Sequence, residues 1–229
     1  MTILKFHQKK YKSYSFGSLF HLSSTTLNIL IEIFKCNQNK KSGILKGRVA
    51  PQFAVIPEAG AVVVKSYKRG GLISCINREH YLKIGKIRSR KEFEFLLNAE
   101  KAGVRVPTPV VYASQGFPFY KAWLITEEIT EHRSFAELCL DEKEKALGLI
   151  PEISHNIRLL IKNKIHHVDL HPGNILIDQN NKNYIIDFDK AYYSTNKTRL
   201  IKKYQQRWTR AIHKYKLPEI LTDLQLTED

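Results

Sequence analysis

The sequence predicts an α+β fold with a β-rich first part and a mainly helical second part. Apolar residues make up 43% of the 229 residues, which is enough for a packed core. Segments rich in β-branched and aromatic residues concentrate before residue 130, and helical patterns dominate after it. The length suits one large domain or two small lobes. We expect the lobes to span residues 1–129 and 130–229.

The first part holds a lead-in segment, a hairpin, a helix and two extended segments. Residues 1–40 contain one apolar helix or strand. Two arms rich in β-branched and aromatic residues flank the turn "PEAG" and predict a hairpin over Gln52–Tyr67. The remaining elements, from apolar spacing and proline positions, are a helix over Ser89–Gly103, an extended segment over 104–114 and a strand over Ala122–Ile129.

The second part begins with a helix start signal. Ser134 and Glu137 lie three residues apart, as in a capping box. The elements predicted after it are a long helix around Ile150–Asn163, short strands over Asn174–Asp178 and Tyr184–Asp187, and a basic helix over Lys197–Lys216.

The composition limits the classes of partner. Lys and Arg number 37 against 22 Asp and Glu, a formal net charge of +15. This excess favours an anionic partner such as nucleic acid, an anionic membrane or a phosphorylated substrate. No nucleic-acid-binding motif accompanies the charge, so nucleic acid is not expected. The three cysteines, Cys36, Cys75 and Cys139, are widely spaced and odd in number, which argues against disulfides or a zinc site and fits a reducing cytoplasm.

Membrane contact without a spanning helix is compatible with the sequence. The N-terminus lacks the apolar core of a signal peptide, and the apolar run Thr26–Phe34 is too short to span a bilayer. The C-terminal helix has two interpretations. Its aromatic residues could lie at the headgroup level of an anionic membrane, or its apolar stripe could face the protein core.

The segment "HHVDLHPGNILIDQNNKNYIIDFDKA" carries the chemical signal. Asp169 and Asn174 follow the pattern D-L-x-x-x-N, the spacing of the protein-kinase catalytic loop. Asp187 ends an apolar strand, where kinases keep a metal-binding Asp. Phosphoryl transfer needs hard oxygen ligands for Mg²⁺ and a carboxylate that takes the proton of the attacking hydroxyl. The competing interpretation is an ordinary hairpin with Asp and Asn as turn and cap residues.

Upstream residues supply candidate nucleotide contacts. Lys65 ends the strand "AVVVK" and could bridge nucleotide phosphates. Glu92, on the following helix, could pair with it, although Glu94 and Glu100 are rivals. A phosphate-covering loop should lie over Gly43–Phe53. That stretch has Gly43 and Gly47 but no G-x-G-x-x-G.

Five collinear segments resemble the lipopolysaccharide kinase family, and Kdo (3-deoxy-D-manno-octulosonic acid) kinases in particular. They are "VVVKSYKRGGLI", "RKEFEFLLNAEKAGVRVPTPV", "LITEEI", "HHVDLHPGNILID" and "YIIDFDKA". The resemblance covers about residues 43–215. It implies a two-lobed protein-kinase-like fold and ATP-dependent phosphorylation of a Kdo hydroxyl, the 4-OH, on a lipid A precursor. It places a peripheral enzyme at the cytoplasmic face of the bacterial inner membrane.

The resemblance also implies residue roles. Asp169 is the base, Asn174 and Asp187 are the Mg²⁺ ligands, Lys65 contacts the ATP phosphates and Glu92 is its partner. The sequence departs from the family at Gly47-Arg48-Val49, where the family tends to have G-R-G. The segment "HVD" lacks the Arg of protein-kinase H-R-D, which predicts a constitutive enzyme.

Two rival functions stay open at this point. The loop "HPGN" is closer to that of aminoglycoside and choline kinases, which keeps a small-molecule kinase as an alternative. A non-catalytic pseudokinase is the other. His167 and His171, which flank the candidate base, are interpreted as loop-packing residues.

Overall fold

The computed structural model describes residues 6–39, 51–67, 81–82 and 85–227 of the chain. Within them it has a mixed α/β architecture with a large antiparallel sheet and five helices. By internal contacts the chain divides into two compact units. The first comprises Met1–Glu94 and Thr108–Glu128, and the second comprises Phe95–Pro107 and Ile129–Asp229.

Seven antiparallel strands form the sheet of the first unit. They are β1 (His7–Tyr11), β2 (Tyr14–Ser18), β3 (Gln52–Ile56), β4 (Gly60–Ser66), β5 (Tyr81–Leu82), β6 (Pro109–Gln115) and β7 (Phe119–Glu127). Their order is β1-β2-β6-β7-β4-β3, with β5 paired to β7. The predicted hairpin over Gln52–Tyr67 is confirmed as β3 and β4, in which Gln52 pairs with Val64.

The apolar helix that the prediction allowed in residues 1–40 is present, but the prediction missed two strands that precede it. The described part of this segment forms β1, β2 and helix α1 (Ser24–Asn39). The strand signal was weak because β1 and β2 are short and mostly polar. Only Tyr14 and Phe16 supply large buried side chains. β2 pairs with β6, so the lead-in extends the sheet.

Helix α1 covers one face of this sheet with apolar residues at helical spacing. Leu27, Leu30 and Phe34 are fully buried. The Phe34 ring stacks on Trp123 of β7, with ring centroids 4.3 Å apart. This spacing places three side chains on one face of the helix, and their burial forms the core of the first unit.

The N-terminus of α1 is held by Glu58 from the β3–β4 turn. The carboxylate accepts a hydrogen bond from the Ser23 backbone N–H (2.7 Å) and another from the Thr26 hydroxyl. Although burial by itself raises the pKa of Glu58, the hydrogen bonds from Thr26 and Ser23 lower that pKa to about 2. An acidic group suits this place because helix N-termini favour negative charge.

Glu58→Gln should therefore lower the free energy of unfolding by about 1–2 kcal/mol at pH 7. Because the folded-state pKa is depressed from 4.5 to about 2, the stabilisation is complete above the ordinary pKa and is lost as the pH falls through that interval. Urea unfolding at pH 7 and pH 3 measures the difference. Glu127→Gln, on an exposed position of β7, is the control. A gap between parent and Glu58→Gln that is as wide at pH 3 as at pH 7 would contradict the assignment.

Helix α2 (Arg88–Lys101) confirms the helix predicted over Ser89–Gly103. The second unit then contains helices α3 (Phe135–Asp141), α4 (Lys143–Lys162) and α5 (Lys197–Lys214), and the short strands β8 (Arg133–Ser134), β9 (Ile165–His166), β10 (Ile175–Ile177), β11 (Asn183–Ile185) and β12 (Tyr192–Tyr193). The strands pair as β11-β10-β8 and β12-β9.

The helix starts of the second unit were predicted with mixed success. The capping box is confirmed, since Ser134 and Glu137 exchange both characteristic hydrogen bonds. Helix α4 begins at Lys143, earlier than predicted. Its first three residues are charged and exposed, and Pro151 usually signals a boundary, yet the helix continues through that residue.

Helix α5 packs its aromatic stripe into the core of the second unit. Tyr204 and Trp208 are fully buried, and Trp208 Nε1 donates to the Leu221 carbonyl (2.8 Å). The interpretation that these aromatic rings lie at a membrane headgroup level is therefore wrong, because the same spacing serves the core. No helix in the described part of the chain is long and apolar enough to span a membrane.

Candidate active site

The loop that carries Asp169 is anchored from behind by a buried tyrosine. Tyr204 of α5 donates its hydroxyl to the Ile165 carbonyl (2.9 Å) and accepts from the His167 N–H (2.8 Å). Burial raises the pKa of Tyr204, so the phenol stays neutral and can make both bonds. These two hydrogen bonds fix the backbone at the start of the loop that carries Asp169.

His167 connects this loop to the segment that carries Asp187. Its ring nitrogen Nε2 lies 2.8 Å from the Ile186 carbonyl, and its ring packs edge-on against Phe188. Burial lowers the pKa of His167, which favours a neutral imidazole that donates through Nε2. The packing role predicted for this histidine is confirmed.

His171 also has the predicted loop-packing role. It is buried, and its Nδ1 accepts from the Gly173 N–H (3.1 Å) at the start of the one-turn 3-10 helix Pro172–Asn174. A Cβ on Gly173 would lie 3.1 Å from the imidazole carbon Cε1 of His171. Glycine at this position therefore lets the ring close over the turn.

Asn174 ties the two carboxylate-bearing segments together. Its side-chain Nδ2 donates to the Asp169 carbonyl (3.0 Å), and its own carbonyl accepts from the Ile186 N–H (3.0 Å). Because Nδ2 is held by Asp169, the orientation of the amide is fixed. Asn174 is buried, as expected for a residue that holds the two segments at one place.

Asp187 lies directly after Ile186 and has a φ of +68°. This left-handed backbone conformation is uncommon for residues other than Gly and occurs often at functional sites. The negative charge of Asp187 lies close enough to act on both Asp169 and His167. The structure thus brings Asp169, Asn174 and Asp187 together, as the motif predicted.

Asp169 is held by two cations that sequence reasoning missed. Its Oδ2 accepts from Lys190 Nζ (3.3 Å), and its Oδ1 accepts from Arg207 Nη2 of α5 (3.1 Å). Burial works to raise the pKa of Asp169, but the attraction of Lys190 and Arg207 outweighs it and lowers the pKa below its ordinary value. The carboxylate is therefore ionised at neutral pH and fixed in direction.

In the first unit, Lys65 and Glu92 form the predicted ion pair. Lys65 Nζ lies 2.8 and 2.9 Å from the two carboxylate oxygens of Glu92. Tyr67 also donates its hydroxyl to Glu92, which is buried. The rival Glu94 pairs instead with Lys86 and Arg90.

The predicted glycine loop cannot be placed. Gly43 and Gly47 lie outside the described residues, as does the whole "KRGG" segment that contributed to the resemblance. Nucleotide contacts from these positions stay a prediction.

The residues around Asp169 fit a magnesium–nucleotide complex by their chemistry. An Asn amide and an Asp carboxylate supply hard oxygen atoms, the ligands that Mg²⁺ prefers. Among the described residues there is no cluster of three or more His, Cys, Asp or Glu that could hold a metal by itself.

Comparisons with known proteins agree with this chemistry. A 3-deoxy-D-manno-octulosonic acid kinase of Vibrio vulnificus is 34% identical over 158 residues, which is 68% of this chain and 66% of that protein. A protein of the same name from Vibrio parahaemolyticus is 35% identical over 156 residues, 67% of this chain and 65% of its own. One from Xylella fastidiosa is 33% identical over 136 residues, covering 58% and 53%.

The chain spans just under two thirds of the length of the Vibrio relatives it matches. The profile of the lipopolysaccharide kinase (Kdo/WaaP) family matches residues 33–227. That range includes Lys65, Glu92 and the whole Asp169–Asp187 segment, so the match extends over both described units. The chain therefore belongs to the lipopolysaccharide kinase (Kdo/WaaP) family.

Proposed function

We propose that the protein transfers the γ-phosphoryl group of ATP to a Kdo hydroxyl, the 4-OH, on a Kdo-bearing lipid A precursor. The observation that carries the proposal is the arrangement in which Asn174 binds the Asp169 carbonyl and also fixes Ile186 ahead of Asp187. The names of the relatives supply the acceptor class. A two-lobed protein-kinase-like arrangement, with lobes at 1–129 and 130–229, is part of the proposal.

Asp169 is the group that takes the proton of the acceptor hydroxyl. Its carboxylate is ionised and held by Lys190 and Arg207, so it presents a fixed oxygen to the incoming hydroxyl. As the hydroxyl oxygen bonds to the γ-phosphorus and the bond to ADP breaks, the hydroxyl proton passes to Asp169.

Asn174 and Asp187 are the residues that would hold Mg²⁺. When bound, Mg²⁺ neutralises charge on the phosphate oxygens of ATP. The Asn174 amide is oriented by its bond to Asp169, and Asp187 by the backbone bond at Ile186. Both ligands are thus set by the loop that carries the base.

Lys65 contacts the ATP phosphates and Glu92 orients it, with Gly43 and Gly47 in the covering loop. The Lys65 side chain is 35% exposed, whereas that of Glu92 is 2% exposed. The buried carboxylate can therefore hold the lysine while part of the lysine side chain stays accessible.

An acceptor panel tests the proposed function. The protein, ATP and Mg²⁺ are incubated with Kdo-bearing lipid A precursor, an aminoglycoside, choline and a generic protein, and phosphate transfer is measured. Transfer to the Kdo acceptor alone is expected. Transfer to aminoglycoside or choline with none to the Kdo lipid would favour a small-molecule kinase, and no transfer at all would favour a pseudokinase.

We also propose a peripheral position at the cytoplasmic face of the inner membrane, mediated by basic side chains. The net charge is +15, and Lys202, Arg210 and Lys214 of α5 are exposed. Each basic side chain near an anionic leaflet contributes about 1 kcal/mol, and the attraction decays within the Debye length.

Replacing Lys202, Arg210 and Lys214 by Gln should weaken sedimentation with anionic vesicles at low salt. Arg207 stays in place because it pairs with Asp169. Turnover on a detergent-solubilised acceptor is the control and should not change. Equal sedimentation of parent and triple variant would show that α5 does not contact the membrane.

A further inference from the structure

The cations around Asp169 have more hydrogen-bonding capacity than the carboxylate uses. Lys190 and Arg207 bring two positive charges to one negative group, and each donates a single hydrogen bond to it. The Arg207 contact comes from Nη2, while its Nε is buried and has no hydrogen-bond partner within the described residues. A guanidinium offers five donors, and a buried donor without a partner calls for an explanation.

The position of Lys190 and Arg207 beside Asp169 restricts which part of the acceptor they can contact. An acceptor hydroxyl that gives its proton to Asp169 must approach its carboxylate to hydrogen-bond distance, about 3 Å. Lys190 Nζ and Arg207 Nη2 already lie 3.3 and 3.1 Å from the same carboxylate. A group a few bonds from the reacting hydroxyl can therefore reach both cations when it points toward them.

Both side chains also have access to solvent. The Lys190 side chain is 64% exposed and that of Arg207 is 29% exposed. A planar guanidinium matches the two oxygens of a carboxylate, and a lysine ammonium adds a mobile point charge. The pair is thus suited to an anionic, planar group next to the reacting hydroxyl.

We propose that Lys190 and Arg207 form the subsite that binds the carboxylate of the acceptor sugar acid. The inference rests on the proposed function, because it assigns the acceptor to the place where Asp169 takes a proton. In the complex the two cations bridge Asp169 and the acceptor carboxylate. They thereby select a hydroxyl that lies on the same sugar ring as an acid group.

The test compares a soluble Kdo glycoside with its methyl ester, which lacks the negative charge. Binding of each is measured by calorimetry without ATP, and KM and kcat are measured with ATP and Mg²⁺. The variants are Lys190→Met, Arg207→Met and Arg207→Lys, the last of which keeps the charge but loses the planar fork. Lys182→Met and Arg199→Met, both at exposed positions of the same unit, are the matched controls. Thermal unfolding verifies that each variant is folded.

The parent should bind the acid about 10- to 100-fold more tightly than the ester. Lys190→Met and Arg207→Met should lose most of this preference by weakening binding of the acid, while ester binding and KM for ATP change little. Arg207→Lys should retain part of it. The controls should match the parent.

Three results would overturn the subsite. A variant could lose binding affinity equally for the acid and the ester, which would show that the cations only position Asp169. The variants could instead raise KM for ATP, which would show that the cations bind the nucleotide. The parent could also bind acid and ester equally. Carboxylate-dependent binding that needs Arg207, without any phosphate transfer, would instead contradict the proposed function and leave the subsite standing.

Discussion

Asp169→Asn should lower turnover by about 100-fold or more, since a general base typically contributes at least that factor. Asn has nearly the same shape but cannot take the hydroxyl proton. It also leaves Lys190 and Arg207 without the carboxylate that they now contact. Because those contacts are partly exposed, their loss should change the free energy of unfolding by no more than about 1 kcal/mol each.

Phosphate transfer to the Kdo acceptor gives the turnover, and calorimetry with ATP and Mg²⁺ gives nucleotide affinity, which should be nearly unchanged. Asp141→Asn, at an exposed position at the end of α3, is the matched control and should behave like the parent. If Asp169→Asn transferred phosphate at the parent rate, the proton would have to go to another group.

Removing Lys65 should lower stability more than removing the charge of Glu92. Lys65→Met leaves the buried Glu92 carboxylate without the ammonium group that contacts both its oxygens, and should lower the free energy of unfolding by about 2–3 kcal/mol. Glu92→Gln should cost less, because Lys65 is partly exposed and water can solvate its charge.

The double variant Lys65→Met with Glu92→Gln separates the two effects. It should recover part of the stability lost in Lys65→Met, since no unpaired carboxylate remains, but KM for ATP should stay raised because the lysine is absent. Urea unfolding and ATP kinetics are the measurements. Lys86→Met removes the exposed cation that pairs with Glu94 and serves as the control. A double variant with parental ATP kinetics would exclude Lys65 from phosphate binding.

The central motif could be predicted because its members are close in sequence and tied to element ends. Asp169 and Asn174 share one loop, and Asp187 follows the next hairpin strand, so the spacing alone places them together. Lys65 and Glu92 are further apart, but a strand-end Lys and a helix Glu have few alternative partners. Their bidentate contact confirms the expected pairing.

Arg207 could not be found in the same way. It lies 38 residues from Asp169 on a helix whose polar face carries many Lys and Arg residues, and periodicity does not distinguish one from another. The spacing of Tyr204 and Trp208 is the same for a helix on a membrane surface and for a helix packed on a core. Only the packing in the structure distinguishes the two. Lys190 had a weak signal, since it comes three residues after Asp187 in the segment that carried the resemblance.

The strands of the lead-in were missed for a related reason. β1 and β2 are short and mostly polar, so alternation of apolar residues is nearly absent. Their pairing depends on β6, whose sequence lies about a hundred residues away. Strands of this kind are specified by the neighbouring strand more than by their own residues.

Mass measurement of the product tests the central claim most directly. The purified protein is incubated with ATP, Mg²⁺ and a Kdo-bearing lipid A precursor, and the acceptor is fragmented in the mass spectrometer. The acceptor should gain one phosphoryl group, located on the Kdo residue, in amounts equal to the ADP released. ADP release without phosphate on Kdo, or phosphate located on the lipid A portion, would contradict the proposed reaction.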